Sequence, residues 1–453
     1  MTPWPIRFFR GIIASVLIVL LHQTNVVGQT ETTQPPPTSE AANVEAPETL
    51  ISMSEKRRLA IEAAFENLRH RKFGIRQVAT QHLANAGISV LPELERRALG
   101  SDVDFQNNCI GIISAIGREE QSLDPAVAAL ERLSNDPTFD SAGKALEELS
   151  QLKKHQTNRA IRLLKESGVS VSQNNSRGQV YSINNLSQDE QCKHLKHFPY
   201  LSFLTINGNG LTDACIKSIS KVPNLNTLYL NSTAISPKGI AEMKSFPNLA
   251  QLTLAGNISA AHIEALTHVP QLSSVQLYTP VGDEELIAAA KLKVSQLTFA
   301  KLKPSAKTAE IMQSVNASKL QLTFYSLKDS DLKWLSGSKT PSLIISISSS
   351  KALTDDGIRF LENANITRLS LSQTGITAEA MKHIGSLKKL QSLSITSSPI
   401  DDESLNYLSN LEDLTSLRLQ DTNVTGDGMA TLKEKLSRLR SMFPNPTPKK
   451  PGK

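Results

Sequence analysis

The chain has 453 residues, of which 39% are hydrophobic and 20% charged, and its formal net charge is +6. This length exceeds what one ordinary globular core supports, unless the architecture is a repeat array that grows along one axis. Three cysteines are too few for a scaffold built from disulfides. Seven basic residues and one acidic residue fall between Lys433 and Lys453, so the excess positive charge is local.

Residues 1–28 have the features of a secretory signal peptide. Arg7 and Arg10 precede an apolar run over residues 11–21, and small residues follow near Gly28. The run is shorter than the roughly 20 apolar residues that a membrane span needs. We expect cleavage near Gly28 and a mature protein that is secreted, periplasmic or at the cell surface, with no integral membrane span.

Residues 29–50 are rich in Thr, Glu, Pro and Ala and lack apolar periodicity, which predicts a disordered linker. Over residues 51–170 the pattern becomes helical. Asp124 and Asp136 each precede a proline and are predicted to be helix N-caps, while Gly87 and Gly117 fall where helices should end. The sequence therefore predicts five or six short antiparallel helices. The stretch FGIRQVATQHLANAGISVLPELERRAL, residues 73–99, resembles one HEAT-type helix pair.

From about residue 180 onward the sequence repeats itself with a period of 24 residues. The shared form is L-x-x-L-x-[LI], then two residues, a Thr, Ser or Asn, one residue and an aliphatic. Clear copies begin at Leu201, Leu225, Leu249, Ile366, Leu390 and Leu414, and weaker copies lie near Leu272, Val294, Leu320 and Leu343. This pattern resembles the leucine-rich repeat family, in its 24-residue forms with helices on the convex side. About ten repeats are predicted within residues 178–440, followed by a basic disordered tail over 441–453.

Each position of the repeat has a predicted role in folding. Alternating residues such as Leu228 and Leu230 point to one side of a strand and form a core once the coils stack. Helix N-caps on the convex side are predicted at Thr212, Ser236, Thr377 and Thr425. Apolar-proline pairs such as Val222-Pro223 end several helices and return the chain to the next strand. Function must therefore lie at positions that the repeat leaves free.

The free positions on the predicted concave sheet are rich in Ser, Thr and Gln and nearly uncharged. Tyrosine offers a large contact area and a polar tip at low entropy cost, although tyrosine and threonine are also favoured by packing on an exposed sheet. We predict a binding surface that contains Phe203, Tyr229, Asn231, Gln276, Tyr278, Tyr325, Arg368 and Arg418. Two arginines do not make the basic stripe that nucleic acid requires, so nucleic acid is not expected as a partner.

Cys192, His194 and His197 are a close group of potential metal ligands, but no second ligand pair with matching spacing accompanies them. Surface histidines on the first repeat are the preferred interpretation, and we predict no metal, no cofactor and no catalytic residue. Cys192 and Cys215 are either bridged or small buried apolar residues, because spacing alone does not establish disulfide geometry. We favour the second alternative.

The sequence therefore predicts an α/β solenoid, in which an all-α helical-repeat domain precedes a leucine-rich repeat arc with a parallel concave sheet and convex helices. A signal peptide followed by such simple repeats resembles bacterial proteins. The family resemblance implies a non-enzymatic, secreted or periplasmic module that binds a protein or peptide on the concave face. The alternative is a structural cell-envelope protein that contacts anionic surface polymers through its basic tail or helical domain.

Overall fold

The computed structural model describes residues 53–174, 178–231, 234–338 and 340–443. The predicted signal peptide, the linker, and the tail from residue 444 onward lie outside these ranges. The chain divides into two compact units, residues 1–60 and 61–453. The described part of the first unit, residues 53–60, is the beginning of a helix. None of the described helices is long and apolar enough to cross a membrane.

The N-terminal part of the described chain is entirely helical. Its helices are α1 (Met53–Asn67), α2 (Phe73–Ala86), α3 (Leu91–Ala98), α4 (Val103–Ile116), α5 (Leu123–Asn135) and α6 (Ala142–Glu166). Buried residues such as Phe65, Leu83 and Ile113 lie in one hydrophobic core. Gly87 follows α2 with φ of 68°, and Gly117 follows α4, so both predicted helix ends are confirmed.

Both predicted N-caps in this region are wrong. Helix α5 begins before Asp124, and Pro125 lies inside the first turn, where its missing N–H costs no helical hydrogen bond. The Asp124 side chain instead accepts a hydrogen bond from Gln156 at 2.6 Å. Asp136 is not a cap, because the next helix, α6, begins only at residue 142. Its side chain instead stabilises a turn by accepting a hydrogen bond from the backbone N–H of Thr138 at 2.8 Å.

Helix α6 contributes to two hydrophobic cores. Ala145, Leu149 and Leu152 pack in the core of the helical region. Ala160 and Leu164, further along the same helix, pack in the core of the repeats. A helix of 25 residues is about 37 Å long, so one rigid element can serve both.

Among the described residues a sheet of 13 strands follows, with the strands in the order of the sequence. The strands are β1 (Ser170–Gln173), β2 (Val180–Gln188), β3 (Phe203–Gly210), β4 (Thr227–Asn231), β5 (Gln251–Ala255), β6 (Ser274–Leu277), β7 (Gln296–Phe299), β8 (Lys319–Tyr325), β9 (Ser342–Ser348), β10 (Ile366–Ser372), β11 (Ser392–Thr396), β12 (Ser416–Gln420) and β13 (Ser441–Phe443). The first two strands pair antiparallel, and all later neighbours pair in parallel. Strands β3 to β12 correspond to the ten predicted copies, and β13 uses three residues that the sequence assigned to the tail.

One face of this sheet is covered by the helical segments that connect the strands. These are α7 (Asp189–Cys192), α8 (Asp213–Ile219), α9 (Pro237–Ala241), α10 (Ala260–Ala265), α11 (Asp283–Ala290), α12 (Thr308–Met312), α13 (Asp355–Arg359), α14 (Ala380–Ile384) and α15 (Gly426–Lys435), with further 3-10 turns including Asp329–Gly337 and Ser404–Leu408. Leu228 pairs between Leu204 and Leu252, and all three are completely buried. The leucine-rich repeat architecture is therefore confirmed by the strand pairing and the core.

The predicted caps and turns explain how each coil closes. Thr212, Ser236 and Thr425 accept hydrogen bonds from the first turns of α8, α9 and α15. The N-cap predicted at Thr377 is wrong, because α14 begins three residues later and its N-cap is Glu379. Thr377 instead accepts a hydrogen bond from the backbone N–H of Glu379 at 3.3 Å in the turn before the helix. The proline turns of successive coils are also connected. The side chain of Asn248 donates a hydrogen bond of 2.7 Å to the backbone carbonyl of Pro223, one repeat earlier.

The register of the repeats shifts in the middle of the sheet. When the paired residues are followed from strand to strand, Leu230 of β4 lies in the same row as Leu393 of β11. In the sequence consensus, however, Leu393 is the counterpart of Leu228. Strands β8 and β9 have seven residues each and present three inward side chains, and an irregularity at Thr367 completes the shift. The shift falls at the weaker copies near Leu320 and Leu343.

Candidate functional site: the open face of the sheet

The open face is the side of the sheet opposite helices α7 to α15. Its central row of outward residues, one from each strand, is Thr205, Tyr229, Thr253, Gln276, Thr298, Gln321, Ile344, Arg368, Ser392 and Ser416. Three predicted site residues therefore share this row. Tyr229 and Gln276 are two strand spacings apart, about 10 Å, whereas Arg368 is six spacings from Tyr229, about 29 Å.

A second row contains Asn231 and Arg418, and both side chains are engaged within the protein. Asn231 donates a hydrogen bond of 2.7 Å to Asn207 on the neighbouring strand. Arg418 donates to Gln420 at 2.9 Å, and its guanidinium lies over the ring of Phe443 at 5.3 Å from the centroid. These contacts order the two side chains, so part of their binding capacity is already used within the sheet.

The exposed aromatic residues are the most distinctive feature of the open face. Tyr325 is 56% exposed, Tyr278 43% and Phe203 37%. Tyr229 is less exposed than these residues. Its ring is half-buried between Thr205 and Thr253 on the adjacent strands, so it also packs within the sheet. Large side chains this accessible are available for an interface, since their burial by a partner would remove much apolar area from water.

Charge is nearly absent from the outward positions of strands β3 to β12. The charged residues there are Lys319, Arg368 and Arg418, and all three are basic. Lys319 is not among the predicted site residues. It lies on the open face because strand pairing sets it beside Gln296 of β7, at the start of the longer strand β8. The three cations lie on different strands, β8, β10 and β12, and form no continuous basic stripe.

The prediction that Cys192 and Cys215 are unbridged is wrong. The structure joins them in a disulfide with a Cα–Cα distance of 5.4 Å, and both residues are completely buried. The bridge links α7 to α8, the first two coils. Periodicity brings the two residues together, because they stand at nearly equivalent positions of successive repeats, 23 residues apart. The predicted secretion, together with the 24-residue period of the repeats, is the signal in the sequence that favours the bridge.

The disulfide also removes the thiolate from the group of Cys192, His194 and His197. The two histidines instead border a small cavity of about 150 Å³ between α6 and the first repeat, together with Asp124 and Arg159. Burial, with Arg159 and Lys196 nearby, lowers the pKa of His194, and burial and Lys196 lower the pKa of His197. Within the described ranges, no three His, Cys, Asp or Glu residues form a group that could hold a metal ion.

Two further features of the repeats are not among the predicted ones. Tyr181 and Tyr200, 49% and 54% exposed, line a shallow pocket at the N-terminal end of the repeats with Gln173 and Gln179. An aspartate ladder also connects the coils: an aspartate carboxylate at or near the start of one helical segment accepts hydrogen bonds from a Ser or Thr in the turn of the next coil. Its pairs are Asp189–Thr212, Asp213–Ser236, Asp329–Thr354, Asp355–Thr377 and Asp402–Thr425. The signal is an aspartate that recurs with the repeat.

The geometry defines a leucine-rich repeat solenoid with an N-terminal helical array. Neither a protein-family model nor a curated protein matches the sequence. Among solved structures, an internalin from Listeria monocytogenes is 14% identical, with 58% of this chain and 86% of that chain covered and a TM-score of 0.34. The Drosophila Toll–Spatzle complex gives 18% identity, 55% and 35% coverage and a TM-score of 0.33. The assignment of the fold rests on the strand pairing itself.

Proposed function

We propose that the protein is a non-enzymatic binding module that recognises a protein or peptide on the open face of its repeat sheet. The observation that supports this most directly is the exposure of Phe203, Tyr278 and Tyr325 among small, uncharged polar side chains. Aromatic side chains are enriched at the energetic centres of protein interfaces. Ser, Thr and Gln around them supply hydrogen-bonding groups that tolerate burial once paired.

The dimensions of the open face suit a macromolecular partner. Strands β3 to β12 span nine spacings, about 43 Å at the usual distance between strands. A standard interface covers about 800 Å² on each partner, which a face of this length accommodates. The sheet packs on a continuous core, so the open face is rigid. Binding therefore needs little free energy to order this surface.

The charge of the open face favours a protein or peptide over nucleic acid. Neutralisation of successive phosphates requires several lysines or arginines along the path of the backbone. The outward positions of β3 to β12 offer only Lys319, Arg368 and Arg418. A partner with a neutral or weakly acidic contact surface is the best match.

Two observations support a location outside the cytoplasm. The apolar run over residues 11–21 with preceding arginines has the composition of a signal peptide. The Cys192–Cys215 disulfide is of the kind that persists in oxidising compartments. We infer a secreted, periplasmic or surface-exposed protein whose repeat face meets its partner in the envelope or the medium.

The test uses the full chain as bait on envelope and secreted fractions, followed by measurement of the affinity for the purified partner. The variant is Tyr278→Ala with Tyr325→Ala, which spares Tyr229 because that ring also packs within the sheet. We expect the double variant to bind at least tenfold more weakly. The matched control is Tyr200→Ala with Tyr407→Ala, two tyrosines that are equally exposed but lie off the open face. Equal binding by both double variants would contradict the proposal.

The structural envelope alternative is tested by removal of the basic tail. Leu436 and Leu439 are buried and residues 441–443 form β13, so removal of everything after Lys433 would damage the last coil. Removal of residues 444–453 leaves the described structure intact. Loss of envelope association in that truncated protein, with the double tyrosine variant still associated, would support the alternative.

A further inference from the structure

An open groove lies where the helical region meets the first repeat. Its volume is about 810 Å³, and it is bordered by α5, by α6 and by the segment that precedes β3. The hydroxyl of Thr157 on α6 donates a hydrogen bond of 3.2 Å to the backbone carbonyl of His197 in the first repeat. Because α6 also packs in both hydrophobic cores, the walls of the groove are held in a fixed arrangement.

The lining of the groove combines polar groups with an apolar strip along α5 and α6. Val127 on α5 and Leu149 on α6 line it, and both are buried in the core of the helical region. Leu146, about one turn earlier on α6, also lines the groove but is 54% exposed. A leucine this accessible beside a concave surface gains from burial when an apolar side chain of a partner covers it.

The charged residues of the groove differ in whether they are already paired. The two acids that line it have partners within the protein: Glu131 forms an ion pair with Lys153 at 2.8 Å, and Asp124 accepts a side-chain hydrogen bond from α6 at 2.6 Å. Lys154 and Lys196 also line the groove and are exposed, and neither has a hydrogen bond or an ion pair among the described residues. The charge available to a partner is therefore positive.

The positions of these groups along α6 suit a short extended peptide. Leu146 and Lys154 are eight residues apart, about 12 Å at the rise of an α-helix. An extended chain advances about 3.3 Å per residue, so two residues three or four places apart in a peptide span the same distance. A large apolar side chain and an acidic one at this spacing would meet Leu146 and Lys154 together.

We propose that this groove binds an extended segment of a partner protein that carries acidic residues and one large apolar residue. The carboxylates pair with Lys154 and Lys196, and the apolar side chain packs on Leu146. The site is separate from the open face, because its residues belong to α5, to α6 and to the segment before β3. The proposal therefore does not depend on the partner of the open face.

The test begins with a phage-displayed library of random dodecapeptides. The library is first depleted on the Lys154→Glu, Lys196→Glu double variant, which removes peptides that bind elsewhere, and is then selected on the wild-type full chain. We expect the selected sequences to place Asp or Glu three or four residues from a Leu, Ile or Phe. As free fluorescein-labelled peptides they should bind with a Kd on the order of 10 μM. A depleted library that yields no saturable binder, or binders without acidic residues, would overturn the proposal.

Fluorescence anisotropy with the selected peptides then measures the contribution of the two lysines. The Lys154→Glu, Lys196→Glu variant should bind at least tenfold more weakly, because two attractions become repulsions. The matched control is Lys238→Glu with Lys244→Glu, which makes the same change of charge at two exposed lysines of another coil. Equal weakening in both double variants would assign the effect to net charge and refute the site.

A second variant separates recognition of a peptide from attraction of any polyanion. Leu146→Ser keeps both lysines and alters an exposed side chain, so the circular dichroism should not change. We expect the selected peptides to bind it about fivefold more weakly. Tyr278→Ala with Tyr325→Ala should bind them as the wild type does. Undiminished affinity in Leu146→Ser, or equally tight binding of polyglutamate to the wild type, would contradict the proposal. So would a wild-type dimer in sedimentation that the lysine double variant loses, since a second copy would then occupy the groove.

Discussion

The carboxylate of Asp355 accepts two hydrogen bonds from Thr377, one from the backbone N–H at 2.8 Å and one from the hydroxyl at 2.7 Å. The two residues belong to successive coils and are 22 positions apart. Thr377 lies in the turn before α14, where its hydroxyl also accepts a hydrogen bond from the backbone N–H of Glu379. Asp355 lies in the first turn of α13. One side chain therefore stabilises the start of its own helix and the turn of the next coil.

Asp355→Ala should lower the free energy of unfolding by about 1–3 kcal/mol, because the backbone N–H and the hydroxyl of Thr377 both lose their acceptor. Asp356→Ala is the matched control, since Asp356 is the adjacent exposed residue of the same helix turn. We expect the control to cost about 0.5 kcal/mol or less. Urea unfolding followed by circular dichroism measures both, and equal losses would refute the role of the ladder.

Gly239→Ala should destabilise the protein, although alanine usually stabilises a helix relative to glycine. A Cβ at this position would overlap the carboxylate of Asp213, which is held in place by the hydroxyl of Ser236 at 2.6 Å. We expect a loss of about 1–3 kcal/mol. Gly111→Ala, in the open space around α4, is the control and should gain up to about 1 kcal/mol. A gain at both positions in thermal unfolding would contradict the packing argument.

Removal of the disulfide by Cys192→Ala with Cys215→Ala should cost about 3 kcal/mol of stability, because the 23-residue loop gains freedom in the unfolded chain. Reduction of the wild-type protein should have a comparable effect on its urea midpoint. The double variant serves as the control, since a reductant has no bond to break in it. A reductant that shifts both proteins equally would show that the bridge is not the cause.

Cys109 should not react with a thiol reagent in the folded protein. Burial raises the pKa of its thiol to about 12, although Arg69 and Arg97 act in the opposite direction. Ellman's reagent should therefore detect no thiol in the native protein and one thiol after unfolding in urea without a reductant. After reduction in urea the count should be three. One equivalent in the native state would disprove the burial of Cys109.

Stability should decrease as the pH falls below about 6.5 because of His194 and His197. Burial lowers the pKa of both groups in the folded state, so the unfolded chain takes up protons first, near its ordinary value of about 6.5. The loss is complete once the pH has passed below the folded pKa. Arg159 and Lys196 enhance the effect, while Asp124 and Glu190 oppose it.

The measurement compares urea unfolding at pH 7.5 and pH 5.5. His194→Gln with His197→Gln should remove this part of the pH dependence, whereas His82→Gln, on an exposed position of α2, should leave it unchanged. A pH dependence that persists undiminished in the double variant would assign it to other groups.

The sequence predicted those parts of the fold that depend on local patterns repeated along the chain. Inward leucines such as Leu228, N-caps such as Ser236 and the prolines before each strand are dictated by side-chain alternation, capping and backbone restriction. The Asp124 and Asp136 predictions failed because a cap depends on where the helix begins, and tertiary contacts decided that.

The sequence also identified the outward residues of the sheet, but it could not rank them. Exposure separates Tyr278 and Tyr325 from Tyr229. The neighbouring strand engages Asn231 through Asn207, and it engages Arg418 through the ring of Phe443. Such differences arise from which side chain stands beside which in the pairing, and the register shift at β8 to β10 changes those neighbours.

The period of the chain, its leucines and its caps by themselves determined a repeat solenoid behind a helical region, because each of these signals acts within one coil. Only the tertiary structure decided what one coil contributes to the next. The Cys192–Cys215 bridge and the Asp355–Thr377 pair both lie between coils. Their physical basis is the distance between side chains some 22 to 24 residues apart, which stacking fixes and which no local pattern encodes.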